Sequence, residues 1–142
     1  MHRHGYKGRK FGREQGSRRA LMRGLMCSLV EHHSIKTTLP KGKDLRPKME
    51  KLISKAKKGG LANRRAVIAA LGDVNLGNRL VDVIAPQIKR ESGYLRVVKL
   101  DENRVGDDAP MVRVEFVDLD AIKKATEDSD TAAEPKKVEE AK

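Results

Sequence analysis

A chain of 142 residues with 31 Lys and Arg against 20 Asp and Glu carries a formal net charge of +11, which raises the local concentration of polyanions and so speaks to partners rather than to fold. Its 3% aromatic content, with no Trp, two Tyr and two Phe, leaves little material for a surface that stacks several bases. The single Cys27 excludes an internal disulfide, and no run approaches the roughly 18 apolar residues of a membrane span.

No secretory signal follows the basic N-terminus, so a cytosolic protein is expected. The charge is unevenly placed. Residues 1–65 hold 19 Lys and Arg and four acids, a net of +15, whereas residues 66–118 and 119–142 each carry −2. A surplus serving solubility alone would be spread along the chain; this asymmetry favours a directed nucleic-acid-binding surface in the first half.

Residues 1–16 interleave Gly5, Gly8, Gly12 and Gly16 with Arg3, Lys7, Arg9, Lys10 and Arg13. Tyr6 and Phe11 are their only large apolar side chains apart from Met1, too few to offset the entropy of ordering. A flexible basic arm is expected. Ser17 is a candidate N-cap for a helix reaching about His33, with Leu21, Leu25 and Leu29 beside Met22, Met26 and Val30 as its apolar face. Cys27 reads as a packing residue, since no catalytic motif accompanies it.

The β-branched run from Ser34 to Leu39 predicts a strand. Pro40-Lys41-Gly42-Lys43 reads as a break before a second helix with Leu45, Met49, Leu52, Ile53 and Ala56 at helical spacing, closed by Gly59. Pro47 would cost about 3 kcal/mol in a helix interior, so Asp44 as N-cap, placing Pro47 in the first turn, is one option; an earlier start with a kink is the other. Lys48, Lys51, Lys55, Lys57 and Lys58 form either a solvated face or an extension of the binding surface. Leu61 to Leu71 predicts a third helix. Arg64 and Arg65 in its first turns oppose the macrodipole, a hint of a phosphate partner. Asp73 can cap a fourth helix ending near Ala85-Pro86. Tyr94–Leu100 and Met111–Asp118 predict an antiparallel hairpin with a long loop around Gly106-Asp107-Asp108. Past residue 119 the composition predicts a flexible charged tail.

Motifs for chemistry are missing from the sequence. Gly42-Lys43 lacks the upstream glycine of a phosphate-binding loop. Neither His2 and His4 nor His32 and His33 have the i, i+4 spacing of a helical metal site, and Asp107-Asp108 sits in a turn-forming stretch. No enzyme, cofactor, metal or small-molecule substrate is expected. A nonspecific DNA-compacting protein is one rival reading and a nucleic-acid-modifying enzyme the other.

Several local sequences occur together. Gly8-Arg9-Lys10-Phe11-Gly12-Arg13, Ser17-Arg18-Arg19-Ala20-Leu21-Met22-Arg23, Ile35-Lys36-Thr37-Thr38-Leu39, Lys43-Asp44-Leu45-Arg46-Pro47, Ala62-Asn63-Arg64-Arg65, Gly93-Tyr94 and Gly106-Asp107-Asp108-Ala109-Pro110-Met111 follow in that order. In this the chain resembles the bacterial large-subunit ribosomal protein L17 family over residues 1 to about 118, with Ser17 standing where a histidine is expected. The resemblance implies an α+β fold in two layers, ordered helix, strand, three helices, two strands, with a small three-stranded mixed sheet. Together with the composition it divides the chain into an expected arm at 1–16, a globular domain at 17–118 and a tail at 119–142. It also implies binding to large-subunit ribosomal RNA, neighbouring ribosomal proteins near the tunnel exit, and a cytoplasmic, ribosomal location.

Charge, position and the resemblance together nominate the RNA-contacting residues. They are Arg3, His4, Lys7, Arg9, Lys10 and Arg13 of the arm, then Arg18, Arg19 and Arg23 on the first helix. Lys36, Thr37 and Thr38 follow on the strand, and Lys41, Lys43, Arg46, Lys55 and Lys58 around the second helix. Arg64, Arg65, Tyr94 and Arg96 complete the set, with Tyr6, Phe11 and Tyr94 as the side chains able to stack on a base.

Overall fold

A computed structural model describes residues 8–118, 120–124 and 126. Arg3, His4, Tyr6 and Lys7, together with most of the expected C-terminal tail, lie outside the described residues.

Helix α1 spans Gln15–His32 and buries Met22, Met26, Leu29 and Val30, the apolar face seen in the sequence. It starts two residues before the Ser17 expected as its cap: Glu14 takes the N-cap position without a side-chain bond, and Ser17 Oγ instead donates to the Glu14 carbonyl at 3.3 Å. His33 ends α1 in the left-handed conformation, its N–H bonded to Leu29 O at 2.9 Å.

Strand β1, Ser34–Thr38, runs directly into α2, Leu39–Lys58. The expected break at residues 40–43 is the first turn of that helix. Pro40 fits there because its missing N–H would have had no partner. Gly42 is buried, and a Cβ on it would lie 2.7 Å from Val112 Cγ2 and 3.2 Å from Val114 Cγ2. The glycine brings α2 down onto the sheet, and Pro47 consequently falls inside the helix, where the N–H that would bond the Lys43 carbonyl is absent. Helix α3, Leu61–Leu71, has the bounds read from the sequence and ends on left-handed Gly72. Asp73 caps the next helix, accepting from the Leu76 N–H at 3.1 Å. That helix, α4, continues through Val74–Asn78, a π-helical stretch Arg79–Ile84 and a final turn Ala85–Gln87. The wide turn lies immediately before Pro86, whose ring clashes with the carbonyl four residues back in a regular α-helix.

Strands β2, Leu95–Asn103, and β3, Pro110–Phe116, complete a sheet of order β1-β3-β2. Both pairings are antiparallel, so the mixed sheet expected from the sequence is corrected to an antiparallel one. The reason is that β1 pairs with the far end of the chain rather than with a parallel neighbour. Registers Ile35↔Val114↔Val97 and Phe116↔Leu95 put one apolar face against the helices, since opposed residues share a face. The other face carries Lys36, Arg113 and Arg96, with Glu115 buried beneath Arg96 at 2.5 Å. The result is two layers, α+β, in the expected element order. Core packing does not stop at residue 118. Residues 120–124 are helical and Ile122 is fully buried in the core, while His33 Nε2 lies 3.2 Å from Thr126 Oγ1. Burial of one isoleucine within a polar stretch gives no periodic signal.

Candidate nucleic-acid interface

The root of the arm is fastened to α2. Arg9 pairs with Asp44, and a turn closed by Arg13 N–H to Lys10 O at 3.1 Å follows it. Arg13 Nη1 donates to the Phe11 carbonyl at 2.9 Å. Between this root and α2 lies a cleft of about 300 Å³, lined by Gly8, Arg9, Phe11, Arg18, Asp44, Pro47, Lys48 and Lys51. Among the described residues its charged lining is Arg9, Arg18, Lys48, Lys51 and Asp44. A second hollow, about 280 Å³, continues along α2 and shares Lys48 and Lys51 with the first. Its other lining residues are Met26, Leu52, Lys55 and Ala70. Lys48, Lys51, Lys55 and Lys58 follow one another at i, i+3, i+7 and i+10, one row about 15 Å long. Lys48, Lys51 and Lys55 of this row line one or both hollows, whereas Lys57 donates to the Arg90 carbonyl and lies 5.3 Å from the Tyr94 ring.

Several nominated residues are used inside the fold. Arg64 grips Asp82 with both terminal guanidinium nitrogens, and its Nη1 also donates to Asn78 Oδ1 at 3.0 Å, which ties α3 to α4. The Asp82 carboxylate holds its guanidinium pKa above the usual value. Arg64 thus has an anionic partner within the protein, whereas its neighbour Arg65 is exposed. Arg23 lies over Gly72 at the end of α3, where a Cβ would come 2.9 Å from its Nη1, a position that suits a cation at a helix C-terminus. Tyr94 is 4% exposed; its hydroxyl donates to the Glu91 carbonyl at 2.5 Å. It is a core residue, and the expectation that it stacks on a base is corrected: an aromatic beside a glycine looks the same in sequence whether it faces in or out. Thr37 and Thr38 are also buried. Arg96 covers Glu115, Arg46 pairs with Glu50 at 3.0 Å, and Lys36 lies 3.6 Å from Glu102.

Lys10, Arg19, Lys43, Lys55, Lys58 and Arg65 are exposed, and Arg18 and Lys41 half-buried. Lys48 and Lys51, absent from the nominated set, line both hollows. Their spacing with Lys55 was the available signal; the sequence could not tell which side of α2 meets the arm. Among the described residues, no three His, Cys, Asp or Glu side chains gather as a metal site needs, and no helix is long and apolar enough to cross a membrane.

A profile of the family described as ribosomal protein L17 matches residues 21–117. This chain belongs to the ribosomal protein L17 family. The large ribosomal subunit protein bL17 of Mesorhizobium japonicum is 48% identical over 127 residues, covering 89% of this chain and 88% of that protein. The bL17 proteins of Beijerinckia indica subsp. indica and Paramagnetospirillum magneticum are each 47% identical, over 122 and 131 residues, covering 85% and 92% of this chain and 86% and 93% of those proteins. Membership of the L17 family agrees with the element order and with the resemblance carried by the short motifs. The family match starts inside α1 and so takes in the α2 side of the cleft but not Gly8, Arg9, Phe11 or Arg18.

Proposed function

We propose that this L17-family chain is a structural constituent of the bacterial large ribosomal subunit that binds large-subunit ribosomal RNA through its basic N-terminal half and supports subunit assembly. The observation that carries the reading is the lysine-bordered groove on α2 leading into the root of the glycine-rich arm. A row of cations along a groove neutralises successive phosphates, and the arm extends that binding into folded RNA. Aliphatic composition favours recognition of RNA shape over a linear base sequence. The hairpin end differs in character: Asp101, Glu102, Asp107 and Asp108 outnumber Lys99 and Arg104, and Val105 is fully exposed. Such an end repels RNA and suits neighbouring ribosomal proteins, which the reading places near the tunnel exit. No reaction is assigned to the chain.

The test is co-sedimentation with large subunits through a high-salt wash, for the full chain and a chain lacking residues 2–16. The full chain is expected to remain bound and the shortened one to be incorporated poorly. A chain stripped completely by salt would instead be a nonspecific polyanion binder. In filter binding to large-subunit ribosomal RNA, replacing Lys48, Lys51 and Lys55 together should make the salt dependence shallower, by close to one unit of slope for each phosphate that is no longer neutralised.

A further inference from the structure

Phe11 has a φ of 55°, in the left-handed region that a bulky side chain rarely enters. Such a backbone persists only where its surroundings impose it, and it directs attention to what the side chain serves. Here the surroundings are the Arg9–Asp44 pair, the Arg13 N–H to Lys10 O turn and the Arg13 guanidinium on the Phe11 carbonyl. Gly12, at φ 59°, continues the same hand. Phe11, set in this strained turn, lines the arm-root cleft together with Pro47, with Lys48 and Lys51 on the helix side. Phe116 and Tyr94 are buried, so Phe11, which is half-buried, is the one Phe or Tyr among the described residues that retains partial exposure. A volume of about 300 Å³ lies at the small end of ligand pockets, the scale of one nucleotide rather than of a duplex.

We propose that the arm-root cleft is a subsite for a single unpaired nucleotide of the RNA. Its base stacks on the Phe11 ring against Pro47, and its flanking phosphates lie on Lys48 and Lys51. The proposal rests on the RNA-binding reading above and adds one local element of base contact to recognition that is otherwise of shape. A flat aromatic face is sequence-tolerant, because every base has a π-face. The subsite therefore selects an unpaired position and not a particular base.

The rival role for Phe11 is to anchor the arm on Pro47, and the choice of variants separates the two. Phe11→Leu keeps apolar bulk and loses the flat face; Phe11→Tyr keeps the face. With the full chain and large-subunit ribosomal RNA in filter binding, Phe11→Leu is expected to weaken binding about 5- to 150-fold, the usual range for one base stack, with its salt slope unchanged. Phe11→Tyr should bind within about twofold of the parent, while Lys48→Ala with Lys51→Ala should lower both affinity and slope. The chain has no tryptophan, so Phe11→Trp reports the cleft alone. Its emission should be quenched by hexaadenylate and unaffected by a blunt RNA duplex carrying the same number of phosphates. Phe11→Leu binding as tightly as the parent, or equal quenching by duplex, would overturn the nucleotide subsite. A surviving effect of the lysine variants would then leave the RNA-binding reading standing. If the parent chain itself fails to bind the RNA, both readings fall.

Discussion

Replacing Gly42 by alanine sets two terms against each other at the place where α2 meets the sheet. In a helix, Gly→Ala gains up to about 1 kcal/mol from backbone entropy and propensity. The new Cβ would sit 2.7 Å from Val112 Cγ2 and 3.2 Å from Val114 Cγ2, roughly 1 Å inside the usual carbon–carbon separation at the first atom. Both valines are fully buried and, being β-branched, stiff at χ1. They cannot swing aside without disturbing the sheet, so α2 must lift. Overpacking of this kind costs about 1–3 kcal/mol, and Gly42 lies in the first turns of α2, where the propensity gain is incomplete. A net loss of about 1–2 kcal/mol is expected. Gly24 is the control, because it lies within α1 and a Cβ there meets nothing within 4 Å. Gly24→Ala should stabilise by about 0.5–1 kcal/mol. Urea unfolding of the two variants beside the parent supplies the assay, with the midpoint shifting in opposite directions at constant m. If Gly42→Ala proves as stable as Gly24→Ala, the close approach of α2 to the sheet is not the constraint described.

Ile122→Ala should destabilise by about 2–5 kcal/mol, as for a buried isoleucine, and a chain ending at residue 118 by at least as much; urea midpoints unchanged from the parent would detach residues 120–124 from the core. The Asp107 carboxyl is lowered from its ordinary 3.8 to about 2, chiefly by the Arg104 hydrogen bond. A depressed carboxyl stabilises the fold above its ordinary value and loses that contribution as the pH falls toward about 2, so the hairpin end should keep its order at pH 5 and loosen between these limits. A carboxyl-carbon titration of Asp107 with a midpoint near the ordinary value would refute this, and Arg104→Gln should move it there. Burial pushes the Cys27 thiol pKa up, and its Sγ lies 3.4 Å from the Leu71 carbonyl. Thiol-reactive reagents at pH 8 should therefore modify the native chain much more slowly than the urea-unfolded chain; equal rates would contradict that environment.

What the sequence disclosed depended on how local each cause was. The third helix was legible between Leu61 and Leu71, and β3 because Val112, Val114 and Phe116 alternate with charges. The start of α2 was not. Gly42 reads as a breaker along the chain, and its purpose depends on Val112 and Val114, which fold over it from seventy positions away. The π-helical turn at Arg79–Ile84 and the burial of Ile122 likewise depend on packing that no period announces. At the candidate interface, the abundance of positive charge was plain. Its division between work inside the fold and an exposed surface was not, because Arg64 and Lys48 differ in their neighbours and not in their sign. Asp82 claims the first, while the second borders the groove.

The order of the strands has a consequence for synthesis. The middle strand of the sheet, β3, is the last to be made, and β1 near residue 34 has no hydrogen-bonding partner until residues 110–116 arrive. Closing so long a loop is entropically slow, and the high contact order delays the sheet relative to the helices. Throughout that interval the whole +15 half of the chain has left the peptidyl-transferase end of its own synthesis and has no sheet to seat α2. The polycation therefore exists before the core does, and under the proposed RNA-binding function capture by RNA would compete in time with closure of the sheet within one molecule.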